Sequence, residues 1–119
     1  MKSILIADDN RDFALSLQLA LEAAGYAVRV AENAREAIAL QRVNPAEVLI
    51  TDLVMPEGDG FEAIDAFRKE FPATKLIVIS GAEKLNAARY LAAAHLIGAD
   101  ATLQKPFEVD ALLEILRAL

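Results

Sequence analysis

The chain of 119 residues contains no cysteine. That absence removes disulfides, thiolate metal sites and thiol catalysis from consideration. There is a single histidine, His95, and with no second one to support a metal site it reads as a surface or partly packed residue. Basic runs and aromatic-basic interleaving are also missing. With 12 Lys and Arg against 18 Asp and Glu the formal net charge is −6, so direct nucleic-acid binding has no electrostatic footprint. The uncharged stretches are too short and too alanine-rich to span a bilayer, and Met1-Lys2 leads straight into a strand pattern, not into the apolar core of a signal peptide. A cytoplasmic setting with no membrane association is the expectation. No linker, repeat or low-complexity tract breaks the chain, and residues 1–119 read as one domain. Surface scaling gives about 6300 Å² folded against roughly 18,600 Å² extended, so about two-thirds is buried and the core needs no covalent staple.

Short apolar runs alternate with helical periodicity along the whole length. "SILIA" (3–7), "YAVRVA" (26–31), "EVLIT" (47–51), "KLIVIS" (75–80) and "ATLQ" (101–104) read as strands. Helices are predicted from about Arg11 to Ala24, on Ala14, Leu17, Leu21 and Ala24, and after Asn33, on Ala34, Ile38 and Val43, until Asn44-Pro45 stops the pattern. Gly25 closes the first of these. Further helices are predicted over about 60–70, 84–97 and 108–118, with a loop holding Pro56, Gly58 and Gly60 before the first of the three. Five strand-helix pairs with helical crossovers imply an α/β fold, a parallel sheet covered on both faces.

The chemistry gathers where the apolar runs stop. Asp8 and Asp9 follow "ILIA", Asp52 follows "EVLIT", Ser80 ends "KLIVIS" and Lys105 follows "ATLQ". Parallel strands would bring all five side chains to the carboxyl edge of the sheet, where open α/β sheets bind ligands. Any one of them alone would be a solvated strand cap; five at one edge point to a site. Carboxylates about 5 Å apart repel by roughly 3 kcal/mol per charged pair at an effective dielectric near 20, so the cluster requires a cation or raised pKa values. Oxygen ligands without cysteine or histidine favour Mg²⁺ or Mn²⁺. Asp52 is the candidate nucleophile, since a carboxylate can attack a phosphoryl group to give an aspartyl phosphate. Lys105 and the metal would neutralise the transferring oxygens, and the Ser80 hydroxyl would donate to one of them.

The motifs "ILIADDN" (4–10), "LITDLVMPEGDGFEAI" (49–64), "IVISGA" (77–82) and "GADATLQKPF" (98–107) resemble the receiver domain of two-component response regulators over essentially the full length. The resemblance implies a doubly wound (βα)5 sandwich with a five-stranded parallel sheet in the flavodoxin-like order 2-1-3-4-5. It implies Asp52 as phosphoacceptor, Asp9 and Asp52 as direct Mg²⁺ ligands, Asp8 acting mainly through water, and the backbone carbonyl of Val54 completing the protein ligands. Ser80 would be the switch hydroxyl and Lys105 the phosphate-contacting lysine, with Lys105-Pro106 cis. The donor would be a sensor histidine kinase or a histidine phosphotransfer protein, recognised through the first helix and nearby loops, where Asn10, Arg11 and Ala14 lie. Activity would be limited to self-phosphorylation and self-dephosphorylation, with output through a homodimer or appended domain near the last two helices.

Two features depart from the family pattern. Thr102 stands where most receivers carry the switch tyrosine or phenylalanine, and Tyr90 on the preceding helix reads as a packing residue. The segment from Ser80 to Lys105 is two or three residues longer than is common, and "NAARYLAAAHLIGAD" has little charge on any face: either it exposes an apolar patch around Leu96 for a partner, or it is a packed alanine-rich helix. These features keep a phosphorylation-independent interaction module as the first rival reading. A small-molecule phosphohydrolase is the second, opposed by the missing cap domain and by Val54, which occupies the position two after Asp52 where a second acid would be needed.

Overall fold

The computed structural model describes residues 2–53, 60–81, 92 and 98–119. Its five strands are β1 (Ser3–Ala7), β2 (Ala27–Ala31), β3 (Val48–Asp52), β4 (Lys75–Ser80) and β5 (Ala101–Gln104), and its helices are α1 (Arg11–Ala23), α2 (Ala34–Val43), α3 (Gly60–Glu70) and α4 (Val109–Ala118). All neighbouring strands are parallel, in the order β2-β1-β3-β4-β5. The expected flavodoxin-like order is therefore present. The expected helix over 84–97, with Tyr90, His95 and Leu96, lies outside the described residues except at Ala92, which is helical and exposed. Solvent-accessible surface is 6259 Å², matching the about 6300 Å² that scaling gives a folded chain of this mass.

Alternation along the strands builds two separate cores. Leu5, Ala7, Leu49, Leu53, Leu76 and Val78 face α2 and α3, where Ala34, Ala37, Ala63, Ile64 and Phe67 meet them. The intervening residues Ile4, Ile6, Val48, Ile50, Ile77 and Ile79 point the other way, onto Ala14, Leu17 and Leu21 of α1 and Leu112 and Leu116 of α4. Side chains of period two thus feed both faces, which is why the central strands read as unbroken apolar runs.

Local signals fix where the helices begin and end. Asn10 Oδ1 accepts from Phe13 N at 3.1 Å and Asn33 Oδ1 from Glu36 N at 2.8 Å, each satisfying one orphan donor of a first turn. Beyond α1, Ala24 is the cap residue and Gly25 follows at φ +100. Ala24 is exposed, so the predicted stripe ends at Leu21: the chain is already turning away from the sheet. Val43, predicted on the inner face of α2, is 85% exposed. It lies about 200° around the helix from Gln41, and the buried stripe is Ala34, Ala37 and Gln41. Gln41 is tolerated there because its amide is matched: Nε2 donates to Ala46 O at 3.0 Å and Thr74 Oγ1 at 3.1 Å, and Oε1 accepts from Ala46 N at 2.8 Å.

Contacts at both of its ends tie α3 to the sheet. Arg68 donates from Nε to Gly98 O at 2.7 Å and from Nη2 to Asp100 Oδ2 at 2.6 Å, while that same carboxylate oxygen accepts from Leu76 N at 2.8 Å. At the other end of the helix Gly60 N donates to Leu53 O at 2.8 Å. A Cβ at Gly60 would stand 2.3 Å from Asp52 O and 2.7 Å from Leu53 Cα, so the helix start touches the backbone that carries Asp52. Gly60→Ala is expected to lower stability by about 1–3 kcal/mol, as overpacking against backbone does. Urea denaturation measures it, and an unchanged midpoint would contradict the close approach.

Candidate functional site

In a 2-1-3-4-5 sheet the winding direction reverses between β1 and β3, and their carboxyl ends flank the resulting crevice. Asp8 and Asp9 follow β1 there, and Asp52 is the last residue of β3. One carboxylate oxygen from each of the three lies within 4.8 Å of the others. Their environments differ: Asp8 is 2% exposed, Asp52 half-buried and Asp9 exposed.

Each member is held by a specific neighbour. Asp8 N donates to Ala31 O at 3.0 Å, extending the β1–β2 ladder one residue past the strand. Its Oδ1 accepts from Asn10 N at 2.9 Å, and its Oδ2 pairs with Lys105 Nζ at 3.1 Å. Asp52 Oδ1 accepts from Leu53 N at 2.9 Å. Lys105 N donates to Ser80 O at 2.7 Å, which locks the end of β5 against β4. The Lys105-Pro106 peptide bond is cis, as expected. Ser80 Oγ is buried and has no hydrogen-bond partner among the described residues. All five predicted strand-end residues therefore occupy the carboxyl edge of β1, β3, β4 and β5. Val54, Met55, Pro56 and Gly58 lie outside the described residues.

Electrostatics follow from the packing. The Asp52 carboxyl is raised from 3.8 to about 6, first because burial disfavours its charged form and further because Asp8 and Asp9 stand close; the Lys105 ammonium and the Leu53 N–H pull the other way. Three carboxylate donors, a lysine held at their flank and a buried hydroxyl without an acceptor among the described residues form an oxygen-rich, hard donor set, and this set fits a divalent cation beside an anionic group.

Comparison with known proteins agrees with this geometry. The response regulator receiver domain family matches residues 4–117. The chain belongs to that family. It is similar to the acid tolerance regulatory protein ActR of Rhizobium meliloti, with 36% identity over 97% of this chain and 58% of ActR. It is also similar to the response regulator receiver protein CpdR of Brucella abortus, with 40% identity over 68% of each chain. Among solved structures, the receiver domain of NtrX from Brucella abortus superposes with a TM-score of 0.90 at 25% identity, covering 97% of this chain and 95% of that one. The chain spans 58% of the length of ActR, 62% of the photosynthetic apparatus regulatory protein RegA of Cereibacter sphaeroides, and about half of other curated relatives. Among the described residues of this receiver, no helix is long and apolar enough to cross a membrane.

Sequence reasoning erred or fell short at three places around the receiver site. Ala14, named among partner-recognition residues, is 1% exposed and packs into the core under α1, so it is unavailable to a partner; Arg11 is exposed and pairs with Glu32 at 2.5 Å. Asn10 is the α1 cap as well as a rim residue. Phe13, unremarked in the sequence, has Lys105 Nζ 4.0 Å from its ring centroid. The available signal was the spacing Phe13, Leu17, Leu21, which puts the ring on the flank of the buried stripe at the site end of the helix.

The raised Asp52 carboxyl carries a sign. The folded state holds its proton more tightly than the unfolded chain, so this group's contribution to folding is fully present below about pH 4 and is lost as pH rises through about 6. Asp52→Asn is therefore expected to be more stable than wild type at pH 8 by about 1 kcal/mol once solvent screening is allowed for, with no difference at pH 3.5. Urea titrations at the two pH values check it, and equal stability at pH 8 would refute it. Cation affinity should move oppositely. With a carboxyl near 6, binding of Mg²⁺ or Mn²⁺ is expected to be about tenfold weaker at pH 5 than at pH 8, and calorimetry showing a flat profile would remove Asp52 from the ligand set.

Proposed function

We propose that this chain is a phosphoacceptor receiver domain that takes a phosphoryl group onto Asp52 in a Mg²⁺-dependent reaction and switches an output conformation. The observation that carries this reading is the convergence of Asp8, Asp9 and Asp52 within 4.8 Å, with Lys105 paired to Asp8 at their flank. Asp9 and Asp52, with the Val54 carbonyl, would ligate the cation directly, and Asp8 through water; Mn²⁺ would substitute. When bound, the cation neutralises charge on the phosphoryl oxygens and on the carboxylates.

The transfer itself belongs to Asp52. An ionised carboxylate oxygen attacks phosphorus, the bond from phosphorus to the donor breaks, and its electron pair leaves with the donor. For a phosphohistidine donor that leaving group is the imidazole nitrogen of a sensor histidine kinase or histidine phosphotransfer protein; for acetyl phosphate it is acetate. Lys105 brings a positive charge to the transferring oxygens, and Ser80 Oγ offers a hydroxyl donor. Being buried and unpartnered among the described residues, that hydroxyl gains an acceptor only when an oxygen arrives, a hydrogen bond whose absence otherwise costs about 1–3 kcal/mol.

Thr102 favours a second reading. It is half-buried, in register with Val78 on β4, and has no ring to couple to the hydroxyl at Ser80. A phosphorylation-independent interaction module would keep its partner binding unchanged in Asp52→Ala. Output through a homodimer or an appended domain near the chain's last two helices belongs to either reading.

Incubation with acetyl phosphate, with Mg²⁺ or with EDTA, followed by intact-mass analysis, separates the two. One phosphoryl group gained only with Mg²⁺, lost in Asp52→Ala, and acquired at least about tenfold more slowly in Lys105→Ala, is the expected result. Wild-type protein that gains none, with slow labelling and rapid hydrolysis both controlled, would favour the interaction module.

A further inference from the structure

The phosphoacceptor reading leaves unexplained a contact between α1 and the end of β5. Lys105 Nζ lies 4.0 Å from the centroid of the Phe13 ring and 3.1 Å from Asp8 Oδ2. The ring is itself fixed in place. Phe107 meets it edge-on at a centroid distance of 6.1 Å and an interplanar angle of 80°. Its backbone is pinned through the helix cap, because Phe13 N donates to Asn10 Oδ1 at 3.1 Å, while Asn10 N donates to Asp8 Oδ1 at 2.9 Å. Four residues thus close a circuit: Asp8 to Asn10, Asn10 to Phe13, the ring to Lys105, and Lys105 back to Asp8.

An aromatic face carries negative charge density and attracts an ammonium, more strongly where water is partly excluded. The Lys105 side chain is 20% exposed. Beside it lies an open cavity of about 330 Å³ bounded by Phe13, Lys105, Pro106 and Phe107. A lysine on a flexible four-carbon stem beside open space needs a restraint to hold its ammonium at one point. Asp8 cannot be its sole restraint, because Asp8 belongs to the acidic cluster and its pull on Lys105 weakens once a cation shares its charge. The attraction of the ring is independent of that charge.

We propose that Phe13 is a positioning residue for phosphoryl transfer, its ring face holding the Lys105 ammonium at the carboxyl edge when the Asp8 carboxylate is shared with a cation. This rests on the phosphoacceptor reading above. Phe13 touches no reacting atom; it acts through Lys105, and the property required is the aromatic face, not merely apolar volume.

The test compares wild type, Phe13→Leu and Phe13→Tyr for the initial rate of labelling by acetyl phosphate with Mg²⁺, and follows the Lys105 Cε protons by NMR. Leucine keeps apolar contact without the face, and tyrosine keeps the face. Phe13→Leu should label about three- to tenfold more slowly and Phe13→Tyr within about twofold of wild type. The Cε protons, shifted upfield by the ring in wild type and Phe13→Tyr, should return to the ordinary lysine position in Phe13→Leu. If Phe13→Leu fails to fold, Phe13→Met takes its place. Equal labelling in the leucine and wild-type proteins, a tyrosine variant as slow as leucine, or Lys105 protons indifferent to the ring would each overturn the proposal. A wild type that never labels, although its Lys105 protons do respond to the ring, sinks the acceptor reading and the transfer role with it but leaves the contact standing, so the two failures are told apart.

Discussion

Mutual repulsion among Asp8, Asp9 and Asp52 is the constraint around which the rest of this receiver is arranged. Three carboxylates with oxygens within 4.8 Å would separate if their backbones were free to move. They are not free. Asp8 continues a ladder with β2, and Asp52 ends a central strand hydrogen-bonded on both sides. The cost falls on protonation instead of on geometry: burial first, and then the nearness of Asp8 and Asp9, raises the Asp52 carboxyl to about 6, and one lysine is held against the most buried acid. A site that is electrostatically unsatisfied alone is poised to bind positive charge.

Such a site needs a rigid support, and the two cores supply it. Every residue of β3 before Asp52 is buried, alternately on the α2/α3 face and toward α1 and α4. Moving Asp52 would mean moving packed side chains on both faces at once, against close packing that transmits strain. The start of α3 presses on the same strand through Gly60, and Arg68 and Asp100 bind the far end of that helix to β4 and the approach to β5. Asp52 and Lys105 sit on opposite sides of β4, so the β4 and β5 ends fix Asp52 relative to the Lys105 ammonium through a few backbone bonds.

Strand runs and strand-end chemistry were legible in the sequence because they depend on short-range patterns, apolar runs of fixed length and a polar residue where each stops, whereas the strand order came only through the family resemblance. The residues misread depend on three-dimensional context. Val43 and Ala24 are apolar and near the right period, but each sits at a helix end, where a phase error or a turning chain puts it in solvent. Gln41 looks like a surface residue until Ala46 and Thr74 arrive from outside its helix to match its amide. The cap role of Asn33 was readable, since its bond is local, whereas the approach of Phe13 to Lys105 spans most of the chain and leaves only a flank position as its trace.

Thr102 shows where the site's logic and the output's logic part. The acid cluster and Lys105 lie at strand ends and are assembled without it, so under the proposed reading the transfer at Asp52 is separable from what stands at position 102. Propagation of the signal under that reading is not. A buried Ser80 hydroxyl gains an acceptor when an oxygen reaches the site, and the reward for closing on it is local. Converting that local gain into a surface change requires a second element with two discrete arrangements whose balance the hydroxyl biases. A large ring swinging between inside and outside would be such an element. A threonine is β-branched and stiff about its first torsion, and here it is half-buried in strand register with Val78, so its own repacking moves little volume. Under the proposed reading, a bistable element in this receiver would therefore have to be something other than the Thr102 side chain, and the acceptor chemistry and the output route have to be tested as separate properties.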